Sequence, residues 1–114
     1  MESKHWQKGA LTMYFNITAY DDTKEGSLDR RMSVRPQHLE NLLKVKEYGH
    51  VVCAGGITDD DGKTIGSYLI MDFAGREELE RYLDSEPYIA SGVWKDIKVE
   101  PCKVVIQNDE FVGA

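Results

Sequence analysis

Every second side chain from Leu11 to Tyr20 is apolar, and this alternation predicts a β-strand with one face in a core. A second alternating run, over residues 64–73, predicts another strand of the same kind. It follows an Asp-Gly turn at residues 59–63, which indicates a hairpin returning from a short strand over residues 50–57. Because such strands must cover their apolar faces, the chain is predicted to fold in layers.

Residues 27–48 carry a helical pattern, with leucines along one stripe and charged side chains outside. Ser27 and Ser33 are both suitable N-caps, and Pro36 fits the first turn of a helix. We therefore predict one short helical turn before Ser33 and a longer helix after it. Gly49 is expected to end that helix.

A second helix is predicted over residues 75–84, and one or two final strands over residues 93–105. The order β-α-β-β-α-β is that of a ferredoxin-like α+β sandwich, with two helices on one face of an antiparallel sheet. The other sheet face also carries apolar and aromatic groups, and an uncovered face of that kind is usually an interface. We therefore expect a homodimer joined sheet to sheet, and leave its further assembly open. Gly55-Gly56 is expected to form a β-bulge, although two glycines could also let a ligand approach the backbone.

The charge balance limits the partners of the chain. Its 114 residues include 14 basic and 20 acidic side chains, for a net charge of −6. Such a chain repels phosphate, so neither nucleic acid nor an anionic membrane surface is expected as a partner. No apolar run reaches the roughly 18 residues of a membrane-spanning helix. A small anionic ligand is compatible with this balance, because a few arginines can share one pocket.

The two cysteines, Cys53 and Cys102, lie in or beside apolar strand-like runs and are expected to be buried and inert. Two cysteines do not make a disulfide framework, which favours the cytoplasm. The domain is predicted over residues 11–107, with a loose leader over residues 1–10 and a tail over residues 108–114.

Several short segments, in their order and spacing, resemble the YCII-related (YciI-like) family. They are Ser27-Leu28-Asp29-Arg30-Arg31, Arg35-Pro36-Gln37-His38-Leu39, Ala54-Gly55-Gly56, Gly66-Ser67, Glu86-Pro87-Tyr88 and Gly92-Val93. The resemblance covers nearly the whole chain. It implies a ferredoxin-like fold that dimerises as an α+β barrel, with a pocket beside a His–carboxylate pair.

The resemblance assigns His38 to that pair but leaves its partner open. The family motif usually begins with Asp where this chain has Glu86, and Asp84 lies two residues earlier, so either carboxylate could serve.

One branch of the family resembles dehydrochlorinases that act on chlorinated hydroxyhydroquinones. Similar barrels include muconolactone isomerases and small monooxygenases.

A histidine exchanges a proton near neutral pH, so His38 could act as a general base or acid. If the helix runs unbroken through Pro36, Arg31 and Arg35 share its face and could hold an anionic ligand in a fork. A carboxylate from the turn at residues 84–87 would orient the imidazole.

Ser67 and Tyr88 are further candidates for ligand contacts, the first through its hydroxyl and the second as a pocket wall. All these residues also have plainer interpretations: a hydrogen-bonded core histidine, solvated arginines, a loop glutamate before a proline, a packed serine and a core tyrosine. No phosphate-binding glycine loop and no zinc-like spacing occurs, so neither a cofactor nor a metal is expected.

The sequence therefore favours a small-molecule enzyme that moves a proton without a cofactor. It would act as a lyase of the dehydrochlorinase kind, or as an isomerase, on a small aromatic or anionic compound. The alternative is a non-enzymatic module of the same dimeric form that binds a small ligand or assists a partner enzyme.

Overall fold

The computed structural model describes residues 12–113. The long strands are β1 (Met13–Asp21), β2 (Gly49–Thr58), β3 (Thr64–Phe73) and β4 (Trp94–Cys102). The helices are α1 (Ser27–Val45), α2 (Arg76–Ser85) and α3 (Pro87–Ala90). A small hairpin near the C-terminus pairs β5 (Ile106–Gln107) with β6 (Glu110–Phe111). The long strands form one antiparallel sheet in the order β2-β3-β1-β4. This is the predicted ferredoxin-like α+β fold. None of the helices described is long and apolar enough to cross a bilayer.

One face of the sheet is the core of the molecule, as the alternation predicts. Phe15 and Ile17 of β1 lie opposite Met71 and Leu69 of β3, and none of the four is more than 1 % exposed. Burying each such side chain contributes roughly 1.5–3 kcal/mol. The helices pack on this block, which fixes the positions of their inward side chains.

No helix within residues 12–113 covers the opposite face of the sheet, where Tyr20 and Tyr68 are 45 % and 41 % exposed. At one end of this face, Tyr14, Asp72 and His50 lie in register on three neighbouring strands. His50 Nδ1 is 3.1 Å from Asp72 Oδ1. Burial, together with the Asp72 charge, raises the pKa of Tyr14. The molecule thus carries a His–Asp pair on the side of the sheet away from the helices.

Helix α1 is continuous, so the predicted break at Ser33 is wrong. The helix runs through Pro36, and the Ser33 hydroxyl donates to the Arg30 carbonyl within it. The N-cap is Gly26, with φ 85°, rather than a serine, and Ser27 Oγ is buried with no partner among the described residues. Packing of the inward face on the sheet holds the helix across a proline that lacks an N–H.

Strand β2 departs from its predicted form in two ways. It begins at Gly49, which therefore does not end the preceding helix. Its register slips between Val51 and Cys53 and between Ile57 and Thr58, so the bulges lie beside Gly55-Gly56 and not at them. A Cβ on Gly55 would lie 2.5 Å from the Tyr68 hydroxyl, so this glycine lets the tyrosine ring approach the bare backbone.

Both cysteines are free, but Cys53 is exposed and Cys102 is only half-buried. The expectation of two buried thiols is therefore wrong, because Cys53 lies on the open face of edge strand β2. The β5–β6 hairpin crosses the boundary predicted at residue 107, so part of the predicted tail is folded. The predicted leader, residues 1–10, lies outside the described residues.

Candidate active site

The fold brings His38 and Glu86 together although 48 positions separate them in sequence. His38 lies in α1, and Glu86 is the single residue that links α2 to α3. His38 Nδ1 is 2.7 Å from Glu86 Oε2, and the two residues are 8 % and 0 % exposed. A hydrogen bond of this length to a carboxylate kept from water is strong and directional.

The Glu86 carboxylate is held from three sides. Besides the contact to His38, the Tyr82 hydroxyl donates to Oε1 over 2.5 Å and the Tyr88 backbone N–H donates to Oε2 over 2.9 Å. Pro87 keeps Glu86 extended, with φ −75° and ψ 115°, so that the glutamate becomes the N-cap of α3. The Glu-Pro-Tyr sequence thus places one carboxylate oxygen toward the histidine.

The imidazole of His38 is fixed in plane as well as in direction. It stacks on Tyr88 with ring centroids 4.1 Å apart at an angle of 16°, and Trp94 meets it edge-on with centroids 6.0 Å apart. Because Glu86 accepts at Nδ1, the proton of the neutral ring lies on Nδ1 and the lone pair on Nε2. Nε2 is therefore the nitrogen that can meet a ligand.

Arg31 forms a second buried network beside the imidazole. Its Nη1 donates to both carboxylate oxygens of Asp21 at 2.9 Å, and its Nη2 donates to Ser67 Oγ at 2.7 Å. Trp94 Nε1 donates to the same hydroxyl at 3.1 Å, and the guanidinium lies 4.9 Å from the centre of the Tyr88 ring. Burial raises the pKa of Asp21 by more than Arg31 lowers it. Arg31 is thus engaged by partners within the protein.

A cleft of about 280 Å³ opens beside this pair of networks. It is lined by Arg31, Met32, Arg35, His38, Leu39, Leu42, Ala54, Gly55, Gly56, Thr64, Ser67, Tyr68, Leu69 and Tyr88. Arg35 is exposed, and no carboxylate within residues 12–113 forms an ion pair with it. Burial raises the pKa of Tyr88 despite both arginines, so its phenol stays protonated at neutral pH.

A larger cleft, of about 540 Å³, lies along the loop at residues 21–29 and against residues 63–65. None of its described lining residues is a histidine, and its buried carboxylate, Asp21, is already paired with Arg31. Size alone therefore does not make it the better candidate for proton transfer. No group of three or more His, Cys, Asp or Glu side chains in the part of the chain described could hold a metal ion.

Most predicted site residues meet at the smaller cleft, but Asp84 does not. Asp84 is exposed on α2, whereas Glu86 makes the bond to His38, which resolves the choice that the sequence left open. The expected two-arginine fork is also changed: Arg31 donates to groups of the protein, and Arg35 lines the cleft with no ion pair to any carboxylate of residues 12–113.

Sequence reasoning missed two members of these networks. Asp21 lies just beyond the strand predicted from Leu11 to Tyr20, yet it is the last residue of β1 and pairs with Arg31. Tyr82 lies in the helix predicted over residues 75–84 and precedes Glu86 by four positions. Side chains four positions apart share one face of a helix, and Glu86 directly follows the last residue of α2, so this spacing was the signal available for the contact.

Tyr82→Phe is expected to lower the free energy of unfolding by about 1–3 kcal/mol, because it leaves a buried carboxylate oxygen of Glu86 without its donor. Burial and the Glu86 charge raise the pKa of Tyr82 far above its ordinary value of 10.0. Only the unfolded chain then releases this proton just above pH 10, so the wild type loses stability there, and Tyr82→Phe should lose less. Thermal unfolding from pH 8 to 11 measures both effects. Tyr20→Phe, at an exposed position, is the control, and equal behaviour of the two variants would contradict the assignment.

Residues 13–103 match the model of the YCII-related domain. Protein YciI of Escherichia coli O6:H1 is 35 % identical over an alignment of 92 residues, and the match covers 75 % of this chain and 94 % of YciI. These matches agree with the resemblance seen in the short segments. The region matched by the family model contains both His38 and Glu86.

Solved structures of other proteins share the fold. The 5-chloro-2-hydroxyhydroquinone dehydrochlorinase TftG from Burkholderia phenoliruptrix AC1100, in complex with 2,5-dihydroxybenzoquinone, gives a TM-score of 0.67 at 27 % identity, over 80 % of this chain and 94 % of TftG. A dimeric ferredoxin-like protein of unknown function from Jannaschia sp. CCS1 gives a TM-score of 0.52 at 15 % identity, over 81 % of this chain and 99 % of that protein. At that identity, the second likeness concerns the fold alone.

Proposed function

The chain belongs to the YCII-related family, and we propose that it is an enzyme that transfers a proton, without a cofactor, on a small aromatic or anionic compound. The observation that carries this proposal is the buried 2.7 Å bond between His38 Nδ1 and Glu86, made beside a cleft that His38 lines. Such a pair fixes the basic nitrogen and stabilises the charge that it acquires.

In this mechanism His38 Nε2 takes a proton from the bound compound. Glu86 does not touch the compound: it holds the ring in position and stabilises the imidazolium that forms. Tyr88 supports the ring from below by stacking. Arg35 offers its charge to an anionic oxygen of the compound, which becomes more negative as the proton leaves.

Two outcomes of this proton transfer fit the site. In a lyase of the dehydrochlorinase kind, the electron pair left by the proton forms a new double bond, and chloride leaves with the pair of the broken C–Cl bond. In an isomerase, the same imidazolium returns its proton to another atom of the compound. The dehydrochlorinase TftG, at 27 % identity, supports the first, which we favour.

The cleft limits the size of the compound. Pockets for drug-sized ligands measure roughly 300–1,000 Å³, and this cleft has about 280 Å³. A compound with a single ring fits that volume. Leu39 and Leu42 supply apolar wall beside Arg35 and His38, which suits a planar ring with charged oxygens at its edge.

The test is release of chloride from 5-chloro-2-hydroxyhydroquinone, followed by ion chromatography, with the spontaneous rate subtracted. Release that depends on His38 supports the lyase. The other outcome is that 2,5-dihydroxybenzoquinone binds while neither 5-chloro-2-hydroxyhydroquinone nor lactone-type aromatics are turned over. The protein is then the ligand-binding module that the sequence left as the alternative.

We also propose that the protein is a homodimer joined through its open sheet face. The support is the set of half-exposed aromatic side chains there, Tyr20 and Tyr68 among them. The two free cysteines fit a reducing compartment, which keeps the cytoplasm as the proposed location.

Thr18→Arg is expected to convert the dimer to a monomer in sedimentation analysis. Thr18 lies on central strand β1 between Tyr68 and Lys98, so the new charge adds to that of Lys98 in the middle of the proposed contact. Gln37→Arg, which adds the same charge on the exposed side of α1, should leave the mass unchanged. A dimeric Thr18→Arg protein would place the contact elsewhere.

A further inference from the structure

The Ser67 hydroxyl has both of its acceptor positions occupied. Arg31 Nη2 and Trp94 Nε1 lie 2.7 Å and 3.1 Å from Oγ, and both groups can only donate. A hydroxyl accepts through two lone pairs and donates through one hydrogen. Within residues 12–113 that hydrogen meets no acceptor, so it is the one hydrogen-bonding position that Ser67 has left.

The remaining hydrogen-bonding position of Ser67 is available to a ligand in the cleft. The residue is only 3 % exposed, yet it lines the same cleft as His38. Its register partner on β2 is Gly56, which has no side chain to cover the hydroxyl. In the unliganded protein a water can accept this hydrogen, and a ligand oxygen can replace that water.

We propose that Ser67 is a fixed donor subsite, which takes an oxygen acceptor of the ligand. This rests on the proposed function for the location of the ligand, and it narrows the substrate class. The substrate would be a planar oxyanion, such as an enolate, a phenolate or a quinoid anion. One of its oxygens would lie at Ser67 and another at Arg35, with the exchanging proton near His38.

The surroundings of Ser67 strengthen its donation. The bond from Arg31 is charge-assisted, and a hydroxyl that accepts such a bond becomes a better donor through its own hydrogen. Asp21 holds the guanidinium by two 2.9 Å bonds, so the arginine cannot turn away. Arg31 therefore acts on the ligand through Ser67 and not as an anion clamp.

The same arrangement disfavours a ligand that presents an N–H at this point. To accept from such a group, Ser67 would have to give up its bond to Arg31 or to Trp94. Either would leave a buried donor unpaired, which is the situation that makes polar sites selective.

The test is binding of 2,5-dihydroxybenzoquinone, whose ionised hydroxyls present acceptor oxygens, to the wild type and variants by calorimetry. Ser67→Ala is expected to weaken binding about tenfold or more, since it removes a hydrogen bond to a charged ligand. Trp94→Phe removes one bond to the same hydroxyl but keeps its hydrogen, and should weaken binding less than about threefold. Ser67→Cys preserves the shape of the side chain with a poor donor, and should resemble Ser67→Ala.

Thermal unfolding of each variant verifies that it is folded before binding is measured. Equal losses in Ser67→Ala and Trp94→Phe, no loss in Ser67→Ala and Ser67→Cys, or no binding to wild type at millimolar concentration would each overturn the subsite. The losses should persist in a His38→Gln background, which cannot carry out the proposed proton transfer. If the Ser67 variants lose affinity but the wild type turns over none of the compounds, the proposed enzyme is rejected and this inference is kept. If the wild type turns a compound over and Ser67→Ala changes neither binding nor rate, this inference is rejected and the enzyme is kept.

Discussion

His38→Gln should lower the rate of chloride release from 5-chloro-2-hydroxyhydroquinone by about 10²–10⁴-fold, the usual contribution of a general base. The glutamine amide can still donate to Glu86, but it cannot exchange a proton near neutral pH. Affinity for 2,5-dihydroxybenzoquinone should change only a few fold, because the cleft walls stay in place. Steady-state rates and calorimetry on the same preparations measure the two effects.

The chain supplies a matched control for this variant. His50 also lies beside a carboxylate, with Nδ1 3.1 Å from Asp72, but it is on the other face of the sheet. His50→Gln should therefore leave the rate unchanged. If both variants lose the same activity, the loss reflects the general effect of removing a histidine, and the proposed role of His38 is wrong.

Glu86→Ala should destabilise the protein more than any other single change considered above. It leaves the Tyr82 hydroxyl, the Tyr88 amide and His38 Nδ1 without an acceptor at a fully buried position. At about 1–3 kcal/mol for each unpaired group, a loss of about 3 kcal/mol or more is expected, a large part of the 5–15 kcal/mol that stabilises an ordinary domain. Urea unfolding followed by circular dichroism measures it.

Asp84→Ala is the control for Glu86→Ala, since it removes a neighbouring carboxylate that is exposed. Its effect should stay within about 0.5 kcal/mol, as for most surface changes. Glu86→Gln should fall between the two, because the amide oxygen can still accept from Tyr82 or Tyr88. An Asp84 variant as unstable as Glu86→Ala would mean that the buried bonds are not what stabilises this link.

The fold could be predicted because its signals are local. Alternation over β1 and β3 and the Asp-Gly turn between β2 and β3 each act within a few residues, and they fix the faces and the order of the strands. The helix boundaries were less predictable. Two serines and Pro36 suggested a break in α1, but packing of its inward face against the sheet overrides that preference.

The site was predictable in part, for a physical reason. The resemblance brought His38 and an acidic turn together, but the choice between Glu86 and Asp84 depends on how Pro87 directs the chain from α2 into α3. The partner of Arg31 depends on where β1 ends, since Asp21 pairs with Arg31 only when the strand extends to it. The direction of the chain at Pro87 and the end of β1 are both set by the tertiary structure, and residue spacing alone does not predict them.

The Glu86 side chain caps the one-turn helix α3 with the same oxygen that holds His38. We therefore expect unwinding of that turn to loosen the imidazole as well. The Tyr88 amide hydrogen is protected only while Glu86 accepts from it. Its rate of exchange with deuterium therefore measures the fraction of molecules in which this cap is open. A helix of four residues has little stability of its own. Its opening equilibrium would then set the fraction of molecules in which Glu86 holds His38 in place.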